Sequence, residues 1–225
     1  MAAIAMLLAG GCAVSPSASA APGTLRYVAL GDSYTIGTSE TEAARWPNQL
    51  VDRLGGTPPT LELVANLGLN GRTSADVIRD QLPQLDGLRP DFVSLLIGVN
   101  DVVQGVTLER YRANLGTIFD ALLARLPADR IVTVATPDYT VTPAGADYGD
   151  PVRKSAAIRA VNASLLELAT ARGIAFVDIY DLSLRAAGDD SLLASDGLHP
   201  SGAQYALWVD AIAPVVAGLL APARR

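Results

Sequence analysis

Cysteine and histidine each occur only once in this chain of 225 residues. One cysteine cannot close an internal disulfide, and with one histidine a Cys/His zinc site is excluded. Lysine is almost missing too: sixteen of the seventeen basic residues are arginine, against twenty-three acidic ones, for a formal charge of −6. A nucleic-acid footprint is a basic patch or stripe, and none is visible, so nucleic acid is not an expected partner. Charged residues make up only 18% of the chain and form no blocks, while half of it is apolar. That balance argues against disorder and supplies a sizeable core at a length typical of one domain.

Basic side chains are also lacking from the start, the first being Arg26, and Ala2 to Ala13 is almost wholly apolar or small. The run is too short to span a bilayer, which needs ~20 apolar residues. It suits the core of an export signal, and Ala18-Ser19-Ala20 fits the small-x-small pattern cut by signal peptidases. Leu8-Ala9-Gly10-Gly11-Cys12 also resembles a bacterial lipobox, with Ala9 where leucine is usual and Cys12 as the candidate lipidated residue. The expectation is a leader over residues 1–20 and an exported protein, secreted or lipid-anchored, whose only membrane contact is an anchor at Cys12.

Beyond the leader, residues 21–225 are expected to form one domain. Short apolar runs rich in Val, Ile and Leu at 25–30, 61–66, 92–97, 131–135 and 174–179 alternate with amphipathic stretches. Strands apolar at nearly every position are covered on both faces. Leu108, Tyr111, Leu115, Phe119, Leu122 and Leu126 recur at helical spacing, as do Ile158, Val161, Leu165 and Leu168, then Tyr205, Trp208, Ile212, Val215 and Leu219. The alternation predicts an α/β fold: a five-stranded parallel sheet with helices on both faces. Ligands of such sheets sit beyond the carboxyl ends of the strands. Polar and glycine clusters fall there: Gly31-Asp32-Ser33, Asn70-Gly71 and Gly98-Val99-Asn100-Asp101, with Asp196-Gly197-Leu198-His199-Pro200 before the last helix.

Alone, His199 reads as a bystander in a surface turn. Asp196, three residues earlier, can however accept its Nδ1–H and leave Nε2 as a base. Serine is a poor nucleophile without such a base, and Ser33 stands where a buried strand turns into a helix. The motif is not the G-x-S-x-G elbow, because position 35 is threonine. Acyl transfer also needs donors for the developing oxyanion, and three candidates exist: Ser33 N–H, Gly71 N–H and the Asn100 amide. Gly71 and Asn100 are ordinary turn residues when taken singly; their joint occurrence with Ser33, Asp196 and His199 points to catalysis.

These blocks resemble those of the SGNH hydrolases, the GDSL-type esterases and lipases. Gly31-Asp32-Ser33-Tyr34 is similar to the first block, with tyrosine in place of the usual leucine. Asn66 to Ser74 resembles the second, where the spacing from Asn66 favours Gly71 over Gly68 as oxyanion donor. Gly98-Val99-Asn100-Asp101 and Asp196-Gly197-Leu198-His199 resemble two more. The resemblance runs from about Leu25 to Leu220 and makes Ser33, Gly71, Asn100 and His199 the four name-giving residues. It implies a three-layer α/β/α flavodoxin-like fold and hydrolysis of carboxylic esters or thioesters without a cofactor. The expected partner is a small-molecule or polysaccharide ester. An acyltransferase moving the acyl group onto a sugar hydroxyl would use the same residues. A flavodoxin-like nucleotide- or phosphate-binding protein is the third reading, and it leaves Asn100, Asp196 and His199 without a role.

Overall fold

The computed structural model describes residues 23–56 and 59–221. The expected leader, with Cys12, lies outside the described residues. The chain begins with β1 (Thr24–Gly31), α1 (Ser33–Ile36), α2 (Trp46–Leu54) and β2 (Thr60–Asn66). It continues through α3 (Ser74–Asp76), α4 (Leu85–Leu88), β3 (Phe92–Leu96), α5 (Val99–Val103), α6 (Leu108–Leu123) and β4 (Ile131–Val134). Last come α7 (Pro151–Thr170), β5 (Ala175–Val177), α8 (Tyr180–Ser183) and α9 (Gly202–Leu220).

The five strands are all parallel, in the order β2-β1-β3-β4-β5. Every residue of β3 and β4 is buried, which is why their sequences are apolar on both faces except for the small buried hydroxyls of Ser94 and Thr133. Right-handed crossovers dictate the layers. Strand β2 lies on one side of β1 and β3 to β5 on the other, so α2 covers one face while α6 and α7 cover the opposite one. Helix α9 returns to the first face and packs along α2, as α6 packs along α7. Tyr111, Leu115, Ile118, Phe119 and Leu122 form the buried stripe of α6. Helix α7 starts at a capping Asp150, whose side chain accepts from Arg153 N at 2.8 Å, with Pro151 at its first position.

Two helical regions have no clear sequence signature. Helix α2 has nine residues and begins Trp46-Pro47. Between Ser74 and Leu88 the chain winds through α3, a π turn (Val77–Gln81), a 3-10 turn (Leu82–Gln84) containing Pro83, and α4. Changing pitch three times erases any fixed 3.6-residue repeat. The π turn places Gln81, buried, against the end of β1. Its amide accepts from Gly31 N at 3.0 Å and donates to Gly31 O at 2.7 Å. Gly31 itself has no room for a side chain: a Cβ there would overlap Thr35 Oγ1 and the Leu96 carbonyl oxygen.

Replacing Gln81 by leucine keeps the volume but orphans two buried backbone groups, each worth ~1–3 kcal/mol. Urea unfolding of Gln81→Leu should show a loss of about 2–4 kcal/mol; a loss below half a kilocalorie would mean that the Gly31 peptide is satisfied without it.

Candidate active site

The strand order reverses direction between β1 and β3, and open α/β sheets bind ligands at that switch point. Ser33 leaves the end of β1 as the first residue of α1. Asp32 caps that short helix, its Oδ1 accepting from Tyr34 N at 3.0 Å. Gly37 closes it in the left-handed conformation, donating from N to Ser33 O at 3.0 Å. Asn100 leaves β3 in the same way, one residue into α5. The chain turns there at Gly98, with φ of 144°, where a Cβ would lie 2.7 Å from Thr136 Oγ1.

Gly71, with φ of 77°, sits in the loop after β2. Several polar contacts hang this loop between the exits of β1 and β3. Thr38 Oγ1 donates to Asn70 Oδ1 at 2.6 Å, and Gln104 Nε2 donates to Gly71 O at 2.9 Å. Buried Asp101 accepts from Ser74 N at 2.9 Å and from Ser74 Oγ at 2.5 Å. The Asn100 amide donates to Arg72 O at 3.1 Å, with a longer contact of 3.4 Å to Asp32 Oδ2.

His199 arrives from the far end of the chain, on the turn before α9. Asp196 organises that turn: Oδ1 accepts from Leu198 N and His199 N, both at 2.9 Å, and Oδ2 meets His199 Nδ1 at 2.7 Å. A carboxylate can only accept, so Nδ1 carries the hydrogen of that bond. Ser39 Oγ donates to the same Oδ2 at 2.7 Å. Partial burial works to raise the Asp196 carboxyl, but the hydrogen bonds from His199 N, Ser39 and His199 Nδ1 outweigh it and hold the group well below the usual carboxylate range. Tyr34, at the position where the resemblance expects leucine, packs its ring 5.0 Å from the imidazole.

Ser33, Gly71, Asn100 and His199 thus line one cavity of about 280 Å³, with Asp196 behind the histidine. Val99, Val103, Tyr139, Tyr148 and Leu198 supply its apolar wall. Gln81, Thr38, Ser39 and Gln104 escape sequence reasoning: each acts through a contact to a distant segment and carries no motif of its own. Among the described residues no group of three or more His, Cys, Asp or Glu could hold a metal ion.

The parallel five-stranded α/β sheet thus carries a serine, an amide and an Asp-held histidine around one cavity. The GDSL-like lipase/acylhydrolase family profile matches residues 29–207, and the chain belongs to that family of ester hydrolases. No curated protein sequence matches it significantly. Among solved structures, the lipase/acylhydrolase from Enterococcus faecalis is similar at 22% identity and a TM-score of 0.69, covering 89% of this chain and 99% of that one. TesA gives 20% and 0.69, over 87% and 99%. Axe2, an acetylxylan esterase from Geobacillus stearothermophilus, gives 20% and 0.65, over 89% and 97%. At these identities the likeness establishes the fold.

One carboxylate beneath the cavity is unusually placed. Asp32 is fully buried, and desolvation, helped by the charge of Asp101, pushes its pKa from 3.8 to about 7 against the pull of Tyr34 N–H and the Asn100 amide. A carboxyl raised on folding stabilises the fold at pH below its unfolded value, and that contribution is lost as pH rises through the folded value. Asparagine caps a helix as well as aspartate does and cannot ionise. The stability of Asp32→Asn relative to the parent should therefore climb between pH 4 and 7, as read by urea unfolding at several pH values. A constant difference across that range would show that Asp32 ionises as easily in the fold as out of it.

Proposed function

We propose that this chain is a serine ester hydrolase working through an acyl-enzyme on Ser33. The observation that carries the reading is the 2.7 Å bond from His199 Nδ1 to Asp196 Oδ2, in a histidine that lines the same cavity as Ser33. With the hydrogen on Nδ1, Nε2 is the basic nitrogen. It takes the Ser33 Oγ proton as Oγ bonds to the ester carbonyl carbon. The proton passes to the alcohol oxygen as the old C–O bond breaks, leaving acyl-Ser33. Water then gives a proton to Nε2 while its oxygen attacks the acyl carbon, and the proton returns to Ser33 Oγ as the acid leaves. Negative charge develops on the carbonyl oxygen in both steps, and Ser33 N–H, Gly71 N–H and the Asn100 amide are assigned to it.

The apolar wall and a volume just below the usual range of ligand pockets favour a short acyl group. Similarity to Axe2, described as an acetylxylan esterase, makes acetylated xylan a reasonable polymeric substrate to test beside small esters. With a series of acyl esters, kcat/KM should be highest for short chains and fall steeply for long ones. The opposite order would overturn the short-acyl assignment. Adding a competing sugar and analysing products separates hydrolysis from acyl transfer to a hydroxyl.

A fluorophosphonate probe should label Ser33, and Ser33→Ala should lose both labelling and turnover. Full activity in Ser33→Ala would remove the acyl-enzyme reading. On this reading the Asn100 amide, which rests on Arg72 O and Asp32 Oδ2, turns its donation to charge that develops only in the transition state, so its loss lowers kcat with little change in KM. The expected drop for Asn100→Ala is ~10²–10³ in kcat. A lowered thermal midpoint with kcat unchanged would leave Asn100 as a turn residue only.

A further inference from the structure

Only two described non-glycine residues have positive φ: Arg89 at 46° and Ser39 at 67°. Arg89 ends α4, with its N–H on Leu85 O at 2.8 Å, and a left-handed residue is an ordinary way for a helix to stop. Ser39 closes no helix. Helix α1 has already ended at Gly37, two residues earlier, and Ser39 is exposed, so no packing of its side chain explains the conformation. What its side chain does is donate to Asp196 Oδ2 at 2.7 Å, across 157 residues of sequence.

Asp196 is an acceptor with four lone-pair sites. Leu198 N, His199 N and His199 Nδ1 occupy three, and all belong to its own turn. Ser39 is the fourth, and the one that comes from the segment carrying Ser33. Without it the acid would be held only by the turn it orients, with no bond to the segment that carries Ser33. Strained backbone that survives at a functional site is paid for by the geometry it secures.

Building on the Ser33–His199–Asp196 reading, we infer that Ser39 is a positioning residue, kept in the left-handed conformation so that its hydroxyl fixes Asp196 Oδ2 and disperses the negative charge facing the imidazole. Its loss has two consequences. Asp196 orients His199 less well, which lowers kcat with little change in KM. More charge also stays on Oδ2, which alters the hydrogen bond it accepts from His199 Nδ1. Tyr34 packs on the imidazole and Tyr139 lines the same cavity; Asp32, Tyr139, Tyr205 and Asp196 all act on Tyr34, with Glu40 and Arg45 near Tyr205. The tyrosines are all pushed up by burial and do not ionise near neutrality. Asp32 is pushed up to about 7, so variant and parent are compared at one pH, where its contribution is common.

The variants are Ser39→Gly, which relaxes the backbone and deletes the hydroxyl, and Ser39→Asn, which tolerates positive φ and keeps a donor. Because the chain has one histidine, imidazole ¹⁵N NMR on untagged, full-length protein reports His199 with no assignment problem. For Ser39→Gly we expect an unchanged or higher thermal midpoint and a displaced His199 Nδ1–H resonance. We also expect kcat to fall about tenfold, as for loss of one hydrogen bond to a charged group. Ser39→Asn should recover most of both. If Ser39→Gly keeps the parent Nδ1–H resonance and a kcat within about twofold of the parent, the inference is wrong and the left-handed serine is a turn residue. The NMR arm reads the coupling whether or not the protein turns over ester. Failure of the broader reading shows separately, as undiminished activity in Ser33→Ala.

Discussion

The site depends on how closely β1 approaches β3 at its carboxyl end. Gly31 pairs with Leu96, and the strands are so near there that no Cβ fits between Gly31 and the Leu96 carbonyl. The peptide of Gly31 is clamped from the other side by the Gln81 amide. From this fixed point the chain turns at once into Asp32 and Ser33, while β3, in register beside it, turns through Gly98 into Asn100. The separation of Ser33 and Asn100 is therefore set by strand spacing, the stiffest distance an α/β protein offers.

That rigidity comes with buried polar groups. Asp32 and Asp101 are removed from water directly beneath the cavity, and burial raises the pKa of each. Neither pairs with a cation through any described contact. Both are held by hydrogen bonds: Asp32 by Tyr34 N and the Asn100 amide, Asp101 by Ser74 N and Oγ, with Asn114 in turn donating to that hydroxyl at 2.9 Å. Apolar residues here would remove the desolvation cost, but they could neither cap α1 nor tie the Gly71 loop to α5. The arrangement trades stability for precision, as functional sites commonly do.

Residues that interact through burial write a pattern into the sequence, whereas residues that interact through a single long-range bond do not. Strands β1, β3 and β4 are visible as apolar runs because both faces are covered. Edge strand β2 is apolar at most positions although only Leu61 is buried and Glu62 is exposed. Helices α6, α7 and α9 are visible because one stripe of each is buried. Strand β5 is shorter than its apolar run, Ala175–Val177, since the chain leaves the ladder once β4 ends at Val134. The segment from Ser74 to Leu88 hides its helical character behind a π turn and Pro83. Ser33, Gly71, Asn100, Asp196 and His199 can be read because their neighbours form recognisable blocks. Gln81 and Ser39 cannot: their partners lie 50 and 157 residues away, and a glutamine in a helix or a serine in a turn is unremarkable locally.

The two halves of the site belong to different parts of the fold, and this decides where its geometry is vulnerable. Ser33 and Asn100 ride on adjacent strands, but His199 rides on a turn that is tied to the 3-10 segment Pro143–Tyr148, by Ala144 N donating to Gly197 O at 3.1 Å, and that leads into α9. That helix is anchored by fully buried Tyr205, Trp208 and Ile212 and by its packing on α2, so the base of the turn is firm. The turn itself is a small structure wound about one carboxylate, closed by the Leu193–Pro200 bridge and by Ala194 N donating to His199 O at 2.8 Å. Between this turn and the β1 exit run two described contacts, the Ser39–Asp196 hydrogen bond and the packing of Tyr34 on the imidazole. The ring contact limits how far the histidine can approach or retreat, while the hydrogen bond limits how it can rotate. A leucine at position 34 would retain apolar contact but lose the flat face. On the proposed reading, the task of aligning His199 with Ser33 therefore falls on a tyrosine face and a single serine hydroxyl, not on the sheet.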